Sequence, residues 1–433
     1  MSIPGSANPL LFASVAAEAA GYQIDRSLRF NSSDSAYLSK NFGSAGNRKT
    51  WTVAFWIKNC IGTATGCIFG ARSGSEFAFV VLSTSGDLGL QIGNGTPGNQ
   101  QNIFAPGKYR DPSSWYHVVF SYDTTGTVVA DMVKIYINGE RVTPNITGNS
   151  NLAQNYETRL NNSVLHVWNQ NTGYSNYGDY YLADCYFIDG QALDPTSFTE
   201  VDATTGQLVP IEYTGTYGTN GFHLDFADNS SAAALGYDAA GSNDWTVNNI
   251  SVTAGSGNDS LVDTPTNAGT DTGVGGEVTG NYATLNPLNK HTSNNILSNG
   301  NLEFTSSAND ATLTESTIAM SSGKFYFEVV YSGSQGTGQL AGIRKPGARN
   351  YNDSYIYVGT GNKYTNGGSG TSYGATLSNG DVIGTAFDAD NGTLTFYKNG
   401  VSQGQAFSGI SGTYSFLVGS FASTPTGVVN FGQ

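Results

Sequence analysis

The sequence predicts an all-β protein made of two antiparallel β-sandwich (jelly-roll) domains behind a short N-terminal arm that can be helical. Three observations predict it. The composition holds 56 Gly, 25 Tyr and 22 Phe, with only 12% charged residues. β-branched and aromatic side chains suit a pleated surface, while Gly and Asn supply turns. Period-2 alternation recurs along the chain, and no long helical periodicity competes with it. The length of 433 residues exceeds one ordinary sandwich and suffices for two cores.

The arm comes first. Residues 1–22 include an Ala-rich stretch, Pro9 to Ala20, with Asn8 placed to cap a helix whose first position is Pro9. This stretch has no basic n-region, Pro9 and Asn8 precede its apolar part, and Glu18 follows closely, so an export signal is not expected. No run approaches the roughly 20 apolar residues of a membrane span, so membrane insertion is not expected. Such an arm either packs on the β domain that follows or docks onto another protein, and in the second case Leu10, Leu11 and Phe12 are the apolar residues that would make the contact.

Residues 23–262 form the first expected domain. In Trp51 to Lys58, alternation puts Val53, Phe55 and Ile57 on one face, with Thr52 and Lys58 opposite. Trp115 to Asp123 repeats the device. Val133 to Ile137 runs into Asn138-Gly139, a dipeptide that accepts positive φ at both central hairpin positions. Asp189-Gly190 after Phe187 reads as a second such turn. Trp245, Val247 and Ile250 read as a strand that closes onto this domain. Residues 263–281 are rich in Gly and Thr and read as a linker. Residues 282–433 then return to alternation, ending on Val428-Val429-Asn430-Phe431-Gly432.

The pieces WTVAFWIK, SSWYHVVFSYD, KIYINGE and LADCYFIDGQAL stand in the order of the concanavalin A-like, laminin-G-type domain, which residues 23–228 resemble. That resemblance implies a two-sheet sandwich used mostly for glycan or protein binding. GKFYFEV, GDVIGTAFD, GTLTFYKNG and a terminal NFG resemble the SPRY domain over about 110 residues. It implies a bent sandwich that presents loops to a ligand and has no catalytic machinery. Such modules in series, low in charge and without an export signal, resemble accessory virion proteins of tailed bacteriophages, particularly marine ones. This resemblance implies a head decoration, knob or tail fibre, made in the host cytoplasm and released in the virion by lysis. The arm would then contact other virion proteins, the loops would contact a host-surface glycan or protein, and the chain would assemble as a homo-oligomer. A bacterial extracellular carbohydrate-binding protein or adhesin is the alternative.

Chemistry is sparse. Retaining glucanases on this fold need two carboxylates about 5 Å apart, for which a strand supplies a Glu-x-Asp-x-Glu run. Glu200-Val201-Asp202 comes nearest, but residue 204 is Thr. His117, His166, His223 and His291 lack ligand spacing, and no Gly-x-Ser-x-Gly elbow precedes a helix. An enzyme is therefore not expected, and neither is a cofactor; calcium at Asp179 and Asp184 is the one weak candidate. The net charge of −14 argues against nucleic acid. Cys60, Cys67 and Cys185 read as buried thiols, with a Cys60–Cys67 bridge left open.

Recognition suits the loops better. Residues 169–181 and 349–374 combine tyrosines with Asn, Ser and Gly, a mixture that gives amphipathic contact area at low entropic cost. The ligand-binding candidates are Tyr174, Tyr177, Tyr180, Tyr351, Tyr355, Tyr364 and Tyr373.

Overall fold

The computed structural model describes residues 21–60, 66–96, 99–148, 152–170, 176–266, 278–290, 295–306, 312–333, 338–348, 351–421 and 424–433. The candidates Leu10, Leu11, Phe12 and Tyr174 lie outside the described residues, as do His291 and the expected arm helix. Two compact units divide the chain between Ala268 and Gly269.

The first unit is a sandwich of two antiparallel eight-stranded sheets. One runs Glu140–Val142, Val133–Ile137, Trp115–Asp123, Thr50–Asn59, Tyr180–Asp189, Ser27–Phe30 and Ser260–Leu261, with Phe222–Leu224 also paired to Tyr180–Asp189. The other runs Asn145–Gly148, Gln100–Phe104, Leu88–Asn94, Glu76–Leu82, Gly66–Ser73, Leu165–Trp168, Tyr37–Asn41 and Thr246–Asn248. Val53, Phe55 and Ile57 face the core between the sheets, as their alternation predicts. Trp51 stacks on Tyr122 at 4.6 Å between ring centres, and Phe55 meets Trp168 edge-on. The opposite face of Thr50–Asn59 is covered too, so Trp56 and Lys58 are as buried as the core residues. Asn138 and Gly139 take φ of 50° and 84°, closing the expected hairpin. Thr246–Asn248 pairs with Tyr37–Asn41, and Trp245 enters the core, as expected of a closing strand.

Three sequence expectations are corrected here. No hairpin follows Asp189-Gly190: the chain leaves the sheet there, and the Leu193 N–H donates to Thr52 Oγ1 at 2.8 Å. Tyr22, the last residue of the expected arm, belongs with the first unit, because its hydroxyl donates to Asp184 at 2.7 Å. The linker does not begin at 263: Asp263 and Thr264 are fully buried, the former held by Lys58 and Trp115. Small polar composition suggested flexibility there, but specific pairing fixes it.

The second unit is a sandwich of two antiparallel seven-stranded sheets. One runs Leu285–Lys290, Thr312–Met320, Tyr414–Ser420, Gln339–Arg344, Ser354–Val358, Asn362–Thr365 and Thr371–Ser372. The other runs Asn295–Ser298, Glu303–Ser306, Pro425–Asn430, Lys324–Gly333, Val382–Asp388, Thr393–Lys398 and Val401–Phe407. Phe325, Phe327 and Val329 point inward from GKFYFEV and meet Phe396, Phe416 and Phe431. Among the described residues, no helix is long and apolar enough to cross a membrane.

Candidate functional site

The described tyrosine candidates sort by strand parity. Tyr177 is half-buried before a strand begins; its hydroxyl accepts from Gln170 Nε2 at 3.0 Å, and its ring lies 6.1 Å from Tyr37. Tyr180 begins the strand Tyr180–Asp189 and turns inward, 1% exposed, with its hydroxyl donating to the Cys67 carbonyl. Tyr180 is therefore a core residue and not a loop ligand.

In the second unit the four candidates form two groups. Ser354–Val358 alternates, so Tyr355 and Tyr357 face the main core while Ile356 and Val358 face the other side of their sheet. Tyr355 packs edge-on to Phe407 at 5.1 Å and near Tyr414 at 5.8 Å. Lys363 Nζ sits 5.3 Å from the Tyr373 ring centre and 5.1 Å from that of Phe407, within cation–π range. The Tyr373 hydroxyl donates to the Gly404 carbonyl. Gln403 Oε1 accepts from the Ala375 N–H at 3.0 Å. Tyr351 and Tyr364 instead flank Phe421, at 4.2 Å and 6.2 Å between ring centres.

The first group lies where both sheets end. Thr371–Ser372 is the last strand of one sheet and Val401–Phe407 the last of the other. Gly370, Thr371, Ser372, Ser402 and Gly404 are exposed, and Val401 is 66% exposed. Half-packed rings, an ammonium group that also donates to the Ala406 carbonyl, and exposed polar backbone thus meet at one rim of the second unit.

The calcium candidates are not brought to a common site. Asp179 accepts from the Ser32 N–H at 2.7 Å and from the Ser32 hydroxyl at 2.8 Å, and burial raises its carboxyl above the ordinary range. Asp184 instead holds Tyr22 and His223. Among the described residues, no group of three or more His, Cys, Asp or Glu is assembled to hold a metal. Cys60, Cys67 and Cys185 are unbridged and buried, and burial pushes each thiol up. Glu200 lies on the short strand Thr199–Val201, and Asp202 caps the following turn by accepting from the Thr204 and Thr205 N–H groups. Those bonds, chiefly to Thr205, lower its carboxyl.

Two arrangements escaped the sequence. Asp184 stands at φ 52° where the pairing with Thr50–Asn59 shifts register between Ala183 and Tyr186, a β-bulge. It gathers Tyr22, His223 and, through a 4.1 Å ring stack on His223, Tyr186. The outer face of the Asn145–Gly148 to Thr246–Asn248 sheet carries Phe77, Phe79 and Phe104 against Gly93, Gly70 and Gly89 on neighbouring strands. Beside them Gln91 and Gln100 both donate to Asn102 Oδ1, at 3.2 Å and 3.0 Å. The only sequence signal for this lattice was glycine inside strand-like runs.

The fold defines a tandem β-sandwich protein. More particularly, residues 30–176 match the Concanavalin A-like lectin/glucanases superfamily and residues 324–433 match the SPRY domain, one match following the other along the chain. The chain is 36% identical over 102 residues to the dual specificity protein kinase splA of Dictyostelium discoideum, covering 22% of this chain and 4% of the kinase. It is 39% identical over 100 residues to the Ran-binding proteins 9/10 homolog of Drosophila melanogaster, covering 21% of this chain and 10% of that protein. It is 38% identical over 128 residues to Ran-binding protein 9 of Danio rerio, covering 27% and 21%. The chain thus spans about a fifth or less of the length of these relatives. Among solved structures, the SPRY domain of human HERC1 is 19% identical, covering 34% of this chain and 96% of that one, with TM-score 0.31. A SAP-like pentraxin from Limulus polyphemus is 16% identical, covering 47% and 93%, with TM-score 0.32.

Proposed function

We propose that this chain is a non-enzymatic recognition protein that binds a surface protein or glycan at the rim of its second unit and serves on the outside of a bacteriophage particle. The observation that carries the binding reading is the rim itself: Tyr355, Lys363, Tyr373 and Gln403 are held by packing and hydrogen bonds beside two exposed terminal strands. A preorganised surface loses little entropy on binding. The pairing of the two modules suits recognition. The virion placement rests on the low charge and the module series, with the arm around Leu10, Leu11 and Phe12 as the attachment point and several copies per assembly.

Binding is tested by titrating the labelled full chain onto host cells and onto a glycan array. Saturable binding that falls at least tenfold in Tyr373→Ala/Gln403→Ala, with unchanged circular dichroism, supports the rim; equal binding by the variant overturns it. Particle placement is tested by mass spectrometry of purified phage, with and without deletion of residues 1–20. Absence of the full chain from particles overturns the virion role, and retention of the deleted form overturns the arm.

A further inference from the structure

We propose that Lys58 and Asp263 condense into an intramolecular amide, a covalent tie between the middle of the first sandwich and its C-terminal exit. Lys58 Nζ lies 2.7 Å from Asp263 Oδ2, and the two side chains are 1% and 0% exposed. The pair is held by the sheet. Lys58 stands directly opposite Trp115 on one neighbouring strand and Tyr181 on the other. The Trp115 indole N–H donates to the second carboxylate oxygen, Asp263 Oδ1, at 3.0 Å. The Tyr181 ring centre lies 5.9 Å from the ammonium nitrogen. Ile24, Trp56, Cys60, Ala183 and Leu261 complete an apolar cluster around them.

These are the conditions under which an amine and a carboxyl react. In the first step of the proposed reaction a proton passes across the 2.7 Å contact from the Lys58 ammonium to Asp263 Oδ2, which leaves an amine beside a carboxylic acid. The Nζ lone pair then attacks Cγ, and the negative charge that develops on Oδ1 meets the Trp115 N–H already aimed at it. The proton lost from nitrogen joins the Oδ2 hydroxyl, which departs as water while the carbonyl re-forms. One C–N bond forms and one C–O bond breaks. One water is released, and no oxidant or further reactant is needed. Fixed contact replaces the encounter of two free groups, and exclusion of bulk water protects the product from hydrolysis. Two further buried pairs, Arg29–Asp259 and Arg344–Glu315, resemble this one in burial but offer a guanidinium, which has no free amine to acylate.

The tie would add to the contacts that already anchor this end of the unit. Arg29 holds Asp259 at 3.0 Å, and Thr266 Oγ1 accepts from the Ile24 N–H at 3.3 Å. It goes beyond the proposed binding role and does not depend on it.

Intact-mass spectrometry of the purified full chain decides the matter. The expected wild-type mass is one water below that of the sequence, and proteolysis should release a branched peptide joining Lys58 to Asp263. Lys58→Arg, which keeps the positive charge and so the fold, and Asp263→Ala should both show the full sequence mass. Trp115→Phe should still fold but accumulate the lighter species at least tenfold more slowly after refolding. A folded wild-type chain at full sequence mass overturns the proposal. So does a water loss that persists in Lys58→Arg or that yields no branched peptide.

Discussion

His223 Nε2 lies 2.6 Å from Asp184 Oδ1, and the carboxylate that makes this contact belongs to a residue at φ 52° within a central strand. The bulge and the polar contact explain each other. An extra residue in Tyr180–Asp189 brings Asp184 onto the face where Tyr22 and His223 lie, and Asp tolerates the left-handed conformation better than most residues. Removing the side chain therefore strands two partners in a buried site. Asp184→Ala should cost about 3 kcal/mol of first-unit stability, and Asp184→Asn, which keeps an acceptor and the backbone tolerance, about 1 kcal/mol. Urea denaturation followed by tryptophan fluorescence measures both.

Acid should weaken the first unit before it weakens the second. Burial depresses His117 and His166 to about 4 in the folded chain, against about 6.5 when unfolded. Between these values the unfolded state binds protons that the folded state refuses. Stability is thus fully present above pH ~6.5 and falls as the pH drops towards ~4, by on the order of 3 kcal/mol per histidine. His117→Gln should flatten part of that slope. Calorimetry at pH 7 and at pH ~4.5 reads the difference, with the second unit, whose described residues hold no histidine, as the reference.

Local periodicity made most of the fold legible, because alternation in Trp51 to Lys58 or Lys324 to Val330 needs no knowledge of distant residues. The hairpin at Asn138-Gly139 was legible for the same reason. The site was less so. Tyr180 looked like a loop residue because nothing local says that the strand begins there and not two residues later. Asp184 sits at a bulge, which breaks parity by one residue and leaves no mark in composition. Asp263 lies in a stretch of small polar residues, and its partners Lys58 and Trp115, both more than 100 positions away, make it core. Tyr355 and Tyr373 were found by composition, but their meeting at Phe407, which Tyr355 packs against and which shares Lys363 with Tyr373, is a product of sheet order.

The glycine lattice on the outer face of the first unit should resist substitution although it lies away from the main core. A Cβ at Gly89 would meet the Ile103 carbonyl oxygen and the Phe104 ring, and one at Gly93 would enter the Phe77 ring. Aromatic rings laid over strand glycines occupy the space a side chain would need. Gly93→Val should lower stability by about 2 kcal/mol, and Gly93→Val/Phe77→Ala should recover part of it by removing the clash. Comparing thermal midpoints of the single and double variants tests the coupling; strictly additive losses would show that the ring and the glycine are independent.

Arg344 and Glu315 make the corresponding test in the second unit. Arg344 Nε lies 2.5 Å from Glu315 Oε1 with the side chains 1% and 2% exposed, while Asn289 Nδ2 donates to Glu315 Oε2 at 2.6 Å. On that side of the sheet the neighbours are apolar, among them Leu340, Ile356 and Leu417. Glu315→Ala leaves a guanidinium buried without its carboxylate and should cost about 3–5 kcal/mol. Replacing both, as Glu315→Leu/Arg344→Met, removes the desolvation penalty with the attraction and should come within about 1 kcal/mol of wild type or exceed it. The shift should appear in the second unit's transition and leave the first unit's unchanged, because both residues and their partners belong to Gly269–Gln433. A double variant as unstable as Glu315→Ala would mean that the pair fixes the position of the sheet's strands, and that its geometry, not its charge balance, is what the unit requires.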